Sequence, residues 1–249
     1  MTQKTSTLLV DMGNSRIKWA SLVGSDRRVG EPFANRGADT DFATLEAIPR
    51  PQHIAIANSA GEACASIFAT WCARVWSMTP RFLRAQENQG SLQNGYTHPE
   101  ALGVDRWLAM LAARQTVTGA FAVVDCGTAI TVDAVGSDGH FLGGVICAGP
   151  ASTLRALTDT VEHLQAGQID YQGVLNVTTA SALTSGALIF SCGGIERVLS
   201  EFEATLGKEM RVLITGGDSE PIAGLIRRPV EQRPHLVLEG IQWVVEQRL

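Results

Sequence analysis

The sequence has few cysteines, and their arrangement argues against a protein held together by disulfides or zinc. The five cysteines stand singly at Cys64, Cys72, Cys126, Cys147 and Cys192. An odd number of cysteines without a C-x-x-C pair indicates neither a disulfide framework nor a structural zinc site. We therefore expect small, buried, reduced cysteines, as is usual in the cytosol.

Basic charge is also scarce, since 20 Lys and Arg residues stand against 25 Asp and Glu residues and give a net charge of −5. Neutralising nucleic-acid phosphates requires clustered Lys and Arg, so a broad nucleic-acid-binding face is not expected. The N-terminal residues lead into a strand-like segment without the apolar region of a signal peptide. No apolar run reaches the roughly 18 residues that a membrane span needs. These absences predict a soluble cytoplasmic protein that binds neither nucleic acid nor membranes.

Several motifs of nucleotide-binding and hydrolytic enzymes are missing as well. The only Gly-Lys pair, Gly207-Lys208, is followed by Glu209, so there is no G-x-x-x-x-G-K-[ST] phosphate loop. The absence of G-x-G excludes a dinucleotide-binding fingerprint and a protein-kinase loop, and G-x-S-x-G and H-E-x-x-H are absent too. The histidines lack metal-ligand spacing, which favours surface or core roles for His53, His98, His140, His163 and His235.

The apolar pattern predicts strands and helices in two successive halves. In the first half we expect strands at 7–10, 17–21 and 54–57, helices at 62–75 and 104–116, and a polar surface loop at 85–99. In the second half we expect strands at 121–124, 130–134, 141–147 and 212–214, helices at 152–164 and 179–206, a short helix after Gly216-Gly217, an apolar run at 236–238 and a final helix that ends at Arg248.

Each half opens with the same pattern, an apolar strand that ends in D-x-G-[NT]-[SA]. The first copy begins at Asp11 and the second at Asp125. Each copy continues into a hairpin strand and then into alternating helices and strands, so the repeat favours a duplicated, two-lobed α/β fold. We place the N-terminal lobe at residues 1–118 and the C-terminal lobe at residues 119–249.

The two turns carry groups that suit a triphosphate if they face each other across a cleft. In the first turn, Gly13 lets the backbone approach a ligand closely, and Asn14 and Ser15 supply donors. Lys18 on the following strand would neutralise phosphate charge, and Asp11 would hold Mg²⁺, often through water. The second turn repeats a carboxylate, a glycine and a hydroxyl in the same order. The alternative is that both aspartates only start Asx-turns.

A third candidate site lies at residues 102–107, where Asp105 and Arg106 fall in the first turn of a predicted helix. The helix dipole usually explains an Asp there, but an adjacent Arg needs an anionic partner at this positive end. A carboxylate substrate would suit Arg106, because guanidinium grips carboxylates bidentately. Asp105 could then accept the proton of an attacking hydroxyl. Tyr96 either lines this pocket or is an exposed turn tyrosine.

Four segments resemble the type III pantothenate kinases, also named Bvg accessory factor proteins. They occur in family order over nearly the whole chain, at residues 11–19, 96–107, 125–131 and 143–146. The G-V-D-R-W and D-x-G-T-A-x-T blocks are the most specific. The resemblance implies the duplicated ribonuclease-H-like fold of actin-like ATPases and of acetate and sugar kinases. It also implies ATP-dependent phosphorylation of pantothenate to 4′-phosphopantothenate, the first step of coenzyme A synthesis.

The resemblance implies residue roles as well. ATP would be bound by Asp11, Met12, Gly13, Asn14, Ser15, Arg16, Ile17, Lys18, Thr128, Gly216 and Gly217. Pantothenate would be bound by Tyr96, Gly103, Val104, Asp105, Arg106 and Thr179, with Asp105 as proton acceptor. Thr178 is adjacent to Thr179, so the register of that threonine stays open. Asp125 would bind a monovalent cation, K⁺ or NH₄⁺, beside the Mg²⁺ at Asp11.

The family is dimeric, so the resemblance implies a homodimer with the pantothenate pocket at the subunit interface. Residues 180–194, rich in Ala, Ser and Gly, would pack against a second copy or form a buried helix within one chain. The sequence departs from the family pattern at residues 147–150, where Pro150 follows Gly149 instead of preceding it, which predicts another path for that loop. The alternatives are another small-molecule kinase or polyphosphate hydrolase of this fold, or a regulatory nucleotide-binding protein without turnover.

Overall fold

The computed structural model of this chain describes residues 6–162, 164–165 and 167–247. The N-terminal segment 1–5, in which no signal region is expected, lies outside these ranges. The same holds for His163 and for Arg248, the predicted end of the last helix.

Within these ranges the chain forms thirteen strands and seven α-helices. The strands are β1 (Ser6–Met12), β2 (Arg16–Val23), β3 (Asp26–Val29), β4 (Phe33–Ala34), β5 (His53–Asn58), β6 (Arg81–Phe82), β7 (Asn88–Gln89), β8 (Leu92–Gln93), β9 (Phe121–Cys126), β10 (Ala129–Val135), β11 (Phe141–Ala148), β12 (Arg211–Thr215) and β13 (Glu231–Gln232). The helices are α1 (Ala43–Glu46), α2 (Glu62–Trp76), α3 (Val104–Thr116), α4 (Pro150–Thr160), α5 (Thr179–Leu206), α6 (Ser219–Leu225) and α7 (Leu236–Glu246).

The chain divides into two compact units. Unit 1 contains the residues up to Gln89, Tyr96–Ala112 and the C-terminal part from Leu236, and unit 2 contains Gly90–Gly95 and Ala113–His235. This grouping differs from the predicted division at residue 118, chiefly because α7 belongs to unit 1. The reason is packing: α7 contacts β1, β2 and β5.

The sheet of unit 1 has the strand order β3-β2-β1-β5-β6, and β4 pairs with β2. β1 is antiparallel to β2 on one side and parallel to β5 on the other. Its last six residues are all buried, as expected of a central strand covered on both faces. Leu8, Val10 and Met12 belong to the core on one face, so strand alternation places Asp11 on the opposite face.

Aromatic side chains dominate that core. The ring centroids of Phe42 and Phe68 are 5.2 Å apart, and those of Trp71 and Trp76 are 4.7 Å apart. Both pairs meet edge to face, the arrangement that aromatic quadrupoles favour. α2 supplies three of these rings, at the spacing of one helical face. The aromatic core therefore anchors α2 to the sheet that carries Asp11.

The sheet of unit 2 repeats the topology of unit 1, with the order β11-β10-β9-β12-β13. β9 is antiparallel to β10 and parallel to β12, as β1 is to β2 and β5. One face of this sheet packs against α5 and α6 through Leu188, Ile195, Leu199 and Ile222. The repeated strand order agrees with the duplication that the D-x-G turns predict.

α5 has the bounds predicted from sequence, but it is more apolar than the sequence analysis assumed. It contains an 18-residue window with mean hydropathy 1.2, enough by length and composition to cross a membrane. The prediction that no apolar run reaches this length is therefore corrected. The buried side chains of α5 pack in the core of unit 2, and a core helix passes the same test.

Three of the five cysteines are buried, as expected. Cys72, Cys126 and Cys192 are buried, Cys64 is half-buried and Cys147 is exposed, and all five are free thiols. Burial raises the pKa of Cys72 to about 12 and that of Cys192 to about 11, and it also raises the pKa of Cys126. The three buried thiols therefore stay neutral at physiological pH and act as small apolar side chains.

Both boundaries of α4 differ from the sequence prediction. α4 begins two residues earlier, at Pro150, because a proline at the first helical position needs no hydrogen-bond donor. It ends at Thr160 rather than at Leu164, since the next residue, Val161, has extended backbone. The run 236–238 forms the first turn of α7. The predicted loop 85–99 contains β7 and β8, and a 3₁₀ turn at Pro99–Ala101 begins at its last residue.

α7 packs closely on α3 within unit 1 at Gly240, so a substitution there tests this packing. A Cβ atom at Gly240 would lie 2.1 Å from the carbonyl oxygen of Leu108. We expect Gly240→Ala to lower the free energy of unfolding by about 1–3 kcal/mol, because backbone must shift. A Cβ at Gly224, in α6, would meet no atom within 4 Å. Gly224→Ala should therefore be neutral or stabilising. Urea unfolding midpoints of both variants measure this, and an unchanged midpoint for Gly240→Ala would contradict the packing.

Candidate functional site

The turn after β1 is a tight hairpin that presents backbone and side-chain donors. The N–H of Gly13 donates to the carbonyl oxygen of Arg16 at 3.1 Å, and Asn14 and Ser15 at the tip are exposed. Asp11 and Lys18 are directly opposite in the β1–β2 pair, so their side chains project from the same face. The turn thus combines a buried carboxylate, a cation and exposed donors over a few residues.

Two residues that sequence reasoning missed hold this turn in place. The backbone N–H of Asn35 donates to Ser15, and its side-chain amide donates to the carbonyl of Gly13 at 2.8 Å. Ser59 accepts a hydrogen bond from the Asn14 side chain at 3.2 Å and donates its backbone N–H to Met12 at 3.0 Å. Neither contact leaves a local sequence signal, because the partners are far apart in the chain.

The start of α3 presents the second group of predicted residues in unit 1. Asp105 Oδ1 accepts a hydrogen bond from the backbone N–H of Arg106 at 2.8 Å. A Cβ at Gly103 would lie 2.8 Å from the same oxygen, so a glycine at this position gives the carboxylate room. The carbonyl of Gly103 accepts the N–H of Trp107 at 3.0 Å and opens the helix.

Arg106 is an unusual residue for a helix start, because its side chain is almost completely buried, with 7% relative exposure. Its Nη1 donates to the hydroxyl of Tyr96 at 3.0 Å, and its guanidinium carbon lies 5.9 Å from the centre of the Tyr96 ring. A buried guanidinium is costly unless charged or polar groups surround it. The structure therefore brings Tyr96, Gly103, Asp105 and Arg106 into one cluster, and of the two alternatives for Tyr96 it favours the one in which Tyr96 lies beside this segment.

In unit 2, the turns after β9 and β12 lie against each other. The backbone N–H of Asp218 donates to the carbonyl of Cys126 at 2.9 Å. Gly216 has φ +100°, and a Cβ there would lie 2.1 Å from the Cys126 oxygen. A glycine is required at this position for both reasons. Asp125 pairs in register with Thr215 on β12, so the predicted residues of both turns share the carboxyl end of this sheet.

The N-terminus of α4 completes this part of unit 2. The carbonyl of Thr128 accepts from the N–H of Gly149 at 3.0 Å and from the hydroxyl of Ser152 at 2.7 Å. A Cβ at Gly149 would lie 2.0 Å from the carbonyl oxygen of Gly127. The Gly149-Pro150 order, which departs from the family pattern, thus fits this fold: Gly149 allows the close approach and Pro150 begins the helix.

The hydroxyl of Thr131 is buried and has no hydrogen-bond partner among the described residues. Thr131 lies directly opposite Asp125 in the β9–β10 pair, so both side chains project from the same face. The Cβ atoms of such pairs are about 4.5–5.5 Å apart. An unpaired buried hydroxyl beside a carboxylate costs free energy unless a ligand satisfies it. Since K⁺ is a hard cation that takes oxygen ligands, these residues fit the implied monovalent cation.

The start of α5 shows which of two adjacent threonines, Thr178 or Thr179, is better placed to contact a ligand. Thr178 is the N-cap residue, and its hydroxyl accepts the backbone N–H of Ser181 at 3.2 Å. Thr179 is the first helical residue, and it is exposed. Because Thr178 serves the helix cap, Thr179 is the better candidate for a ligand contact.

The described part of the chain contains no group of three or more His, Cys, Asp or Glu side chains that could hold a metal ion. Mg²⁺ usually keeps several waters and is held by one or two carboxylates together with substrate phosphates. Asp11 is the carboxylate that could take this role in the first turn.

Comparison with known proteins identifies close sequence relatives. A sequence model of the type III pantothenate kinase family matches residues 7–201. A type III pantothenate kinase of Nitrosococcus oceani is 36% identical over 255 residues, which covers 96% of this chain and 93% of that protein.

Solved structures agree on the fold. A candidate Baf family transcriptional activator from Campylobacter jejuni has a TM-score of 0.57 and 20% identity, with 97% of this chain and 98% of that chain covered. An archaeal actin homologue has a TM-score of 0.50 and 11% identity, with 98% and 100% covered. At such identities the likeness concerns the fold alone. It confirms the predicted architecture of actin-like ATPases and sugar kinases.

Proposed function

The chain belongs to the type III pantothenate kinase family and phosphorylates pantothenate with ATP in coenzyme A biosynthesis, and we propose which of its residues perform each part of this reaction. The observation that carries the proposal is the cluster at the start of α3. There a buried Arg106, bonded to Tyr96, lies next to the carboxylate of Asp105.

Arg106 binds the carboxylate of pantothenate in this proposal. A guanidinium matches a carboxylate with two parallel hydrogen bonds, and burial strengthens them because water competes less. Tyr96 orients the guanidinium from one side through its hydroxyl. Gly103, Val104 and Thr179 are assigned to the remaining substrate contacts.

Asp105 is the general base. Its carboxylate accepts the proton of the pantothenate hydroxyl while the hydroxyl oxygen attacks the γ-phosphorus of ATP, and the bond to the bridging oxygen breaks to release ADP. The hydrogen bond from the Arg106 N–H to Oδ1 fixes the carboxylate, so Oδ2 is the oxygen that takes the proton. Phosphoryl transfer needs little more than positioning, charge neutralisation and one such base.

The ATP phosphates are assigned to the two acidic turns. In the first, backbone N–H groups of residues 12–17 and the side chains of Asn14, Ser15 and Arg16 would donate to phosphate oxygens, Lys18 would neutralise charge and Asp11 would hold Mg²⁺ through water. In the second, the hydroxyl of Thr128 contacts a phosphate. The Gly216-Gly217 turn binds the nucleotide where the backbone can approach closely.

The monovalent cation is assigned to Asp125, with the Thr131 hydroxyl as a second oxygen ligand. The support is the buried Thr131 hydroxyl, which has no hydrogen-bond partner among the described residues and lies opposite Asp125 in the sheet. When bound, K⁺ or NH₄⁺ would neutralise charge near the phosphates. Asp125 and the Thr131 hydroxyl would each supply an oxygen ligand to the cation.

A homodimer is also part of the proposal, with α5 at its interface. Phe190 on α5 is 83% exposed, and Leu175 and Val177 in the preceding segment are 92% and 99% exposed. This segment is tied to α5, because the hydroxyl of Ser185 accepts the N–H of Gln172 at 3.0 Å. Large exposed apolar side chains of this kind are typical of an interaction site, and a second copy is the family's partner. A cytoplasmic location is inferred from the free cysteines and the need for ATP.

The role of Asp105 is tested by Asp105→Asn. We expect turnover to fall about 10²–10⁴-fold, the usual contribution of a positioned base. Nucleotide binding and folding should be retained, because the Asn carbonyl can still accept the Arg106 N–H. Steady-state kinetics with ATP and pantothenate measure this, with the exposed Asp26→Asn as matched control. Full activity of Asp105→Asn would remove Asp105 from this role.

The cation site is tested by Thr131→Val. Valine has nearly the same shape and removes the unpaired hydroxyl, so the unfolding midpoint without K⁺ should be unchanged or higher. The rise in midpoint on adding K⁺ should be smaller than in the parent, and Na⁺ should support less activity than K⁺ in the parent. Thermal unfolding and kinetics in KCl and NaCl measure both effects.

Thr70→Val, at an exposed position on α2, is the control for the cation test and should keep the full K⁺ response. Equal K⁺ stabilisation of Thr131→Val and the parent would exclude Thr131 as a ligand. Equal parent rates in both salts would count against the cation at Asp125.

The interface is tested by Phe190→Arg. A charge in the apolar surface should convert a dimer to a folded monomer, because the side chain is exposed within one chain. Light scattering after size exclusion at micromolar concentration gives the mass, and circular dichroism checks the helix content. Val75→Arg on α2 is the control. A monomeric parent, or an unchanged mass for Phe190→Arg, would contradict the proposal.

A further inference from the structure

Unit 1 contains a cavity of about 260 Å³ that none of the residues assigned above lines. β6 and the following segment form most of its wall, and α3 and α7 contribute one residue each. The polar part of the wall comes from Arg81, Arg84, Gln86 and Gln89. The apolar part includes Leu108 and Val244.

The charge of this wall is opposite to that of the whole chain. Arg84 contributes a positive charge to the wall, and no Asp or Glu occurs among the described lining residues, whereas the net charge of the protein is −5. A concave surface with one sign of charge concentrates ions of the other sign. The cavity therefore favours an anion.

Hydrogen bonds fix the segment that carries these groups. The amide of Gln86 donates to the carbonyls of Arg84 and Ala85 at 3.2 and 3.3 Å, which holds the backbone at Arg84. The oxygen of Gln89 accepts the indole N–H of Trp107 at 2.8 Å. Because that oxygen already accepts a hydrogen bond, the group of the Gln89 side chain that faces a ligand is its NH₂ donor.

We propose that this cavity binds a small organic anion, separate from ATP and pantothenate. Its phosphate or carboxylate group contacts the Arg84 guanidinium and the Gln89 amide, and its carbon atoms lie on Leu108 and Val244. Pockets for drug-sized ligands measure about 300–1,000 Å³, so this cavity suits a metabolite smaller than a nucleoside triphosphate.

Site-resolved NMR on the full ¹⁵N-labelled chain tests the proposal, since the phosphate turns also attract anions. Glycerol 3-phosphate and succinate are titrated separately at constant ionic strength. We expect saturable shifts of the Arg84 Nε–H and Gln89 side-chain signals with at least one of them. Shifts with only one probe identify phosphate or carboxylate as the recognised group.

The matched variants are Arg84→Gln and Arg74→Gln, the latter at an exposed position on α2 outside the cavity. Loss of a charged hydrogen bond should weaken binding about tenfold or more in Arg84→Gln and leave Arg74→Gln unchanged. An unchanged Trp107 indole signal shows that the fold is retained. The proposal would be overturned if the Gln89 side-chain signals of the parent do not shift with either probe. Equal affinities of the parent and Arg84→Gln would overturn it as well.

Discussion

Strand pairing around the first strand of each sheet is the constraint on which the candidate site depends. That strand is antiparallel to its hairpin partner on one side and parallel to a later strand on the other. The aspartate near its end therefore lies between a tight turn and the carboxyl end of a parallel strand, where α/β proteins bind ligands. In unit 1 the neighbours of Asp11 are Lys18 and Ala57, and in unit 2 those of Asp125 are Thr131 and Thr215. One topology thus produces two acidic turns with different chemistry.

The sequence was informative where a signal is local and periodic. The bounds of α3 and α5 match the predicted ranges 104–116 and 179–206, because both helices have long apolar patterns with clear ends. The D-x-G turns were found for the same reason, since a strand that stops at an acidic turn needs only adjacent residues. Asp105 and Arg106 were singled out because an arginine at a helix start conflicts with the dipole unless it has an anionic partner, whereas the position of Tyr96 beside them was left open.

Other features depend on contacts between distant residues and leave no local signal. Asn35 and Ser59 are ordinary polar residues in the sequence, yet they hold the turn after β1. Thr131 became informative only when its hydroxyl was found buried without a partner in the described structure. Gly149-Pro150 departs from the family order, but the close approach to Gly127 and the start of α4 account for both residues.

The membership of α7 in unit 1 has a consequence for biosynthesis. The strands of unit 1 leave the ribosome first, but the helix that contacts β1, β2 and β5 leaves last. Residues 113–235 intervene, and at about 5–20 residues per second their translation takes roughly 6–25 seconds. During this interval the apolar side chains of β1, β2 and β5 that contact α7 in the folded protein lack this partner. A chain that lacks α7 is therefore expected to leave the apolar residues of β1, β2 and β5 without this cover.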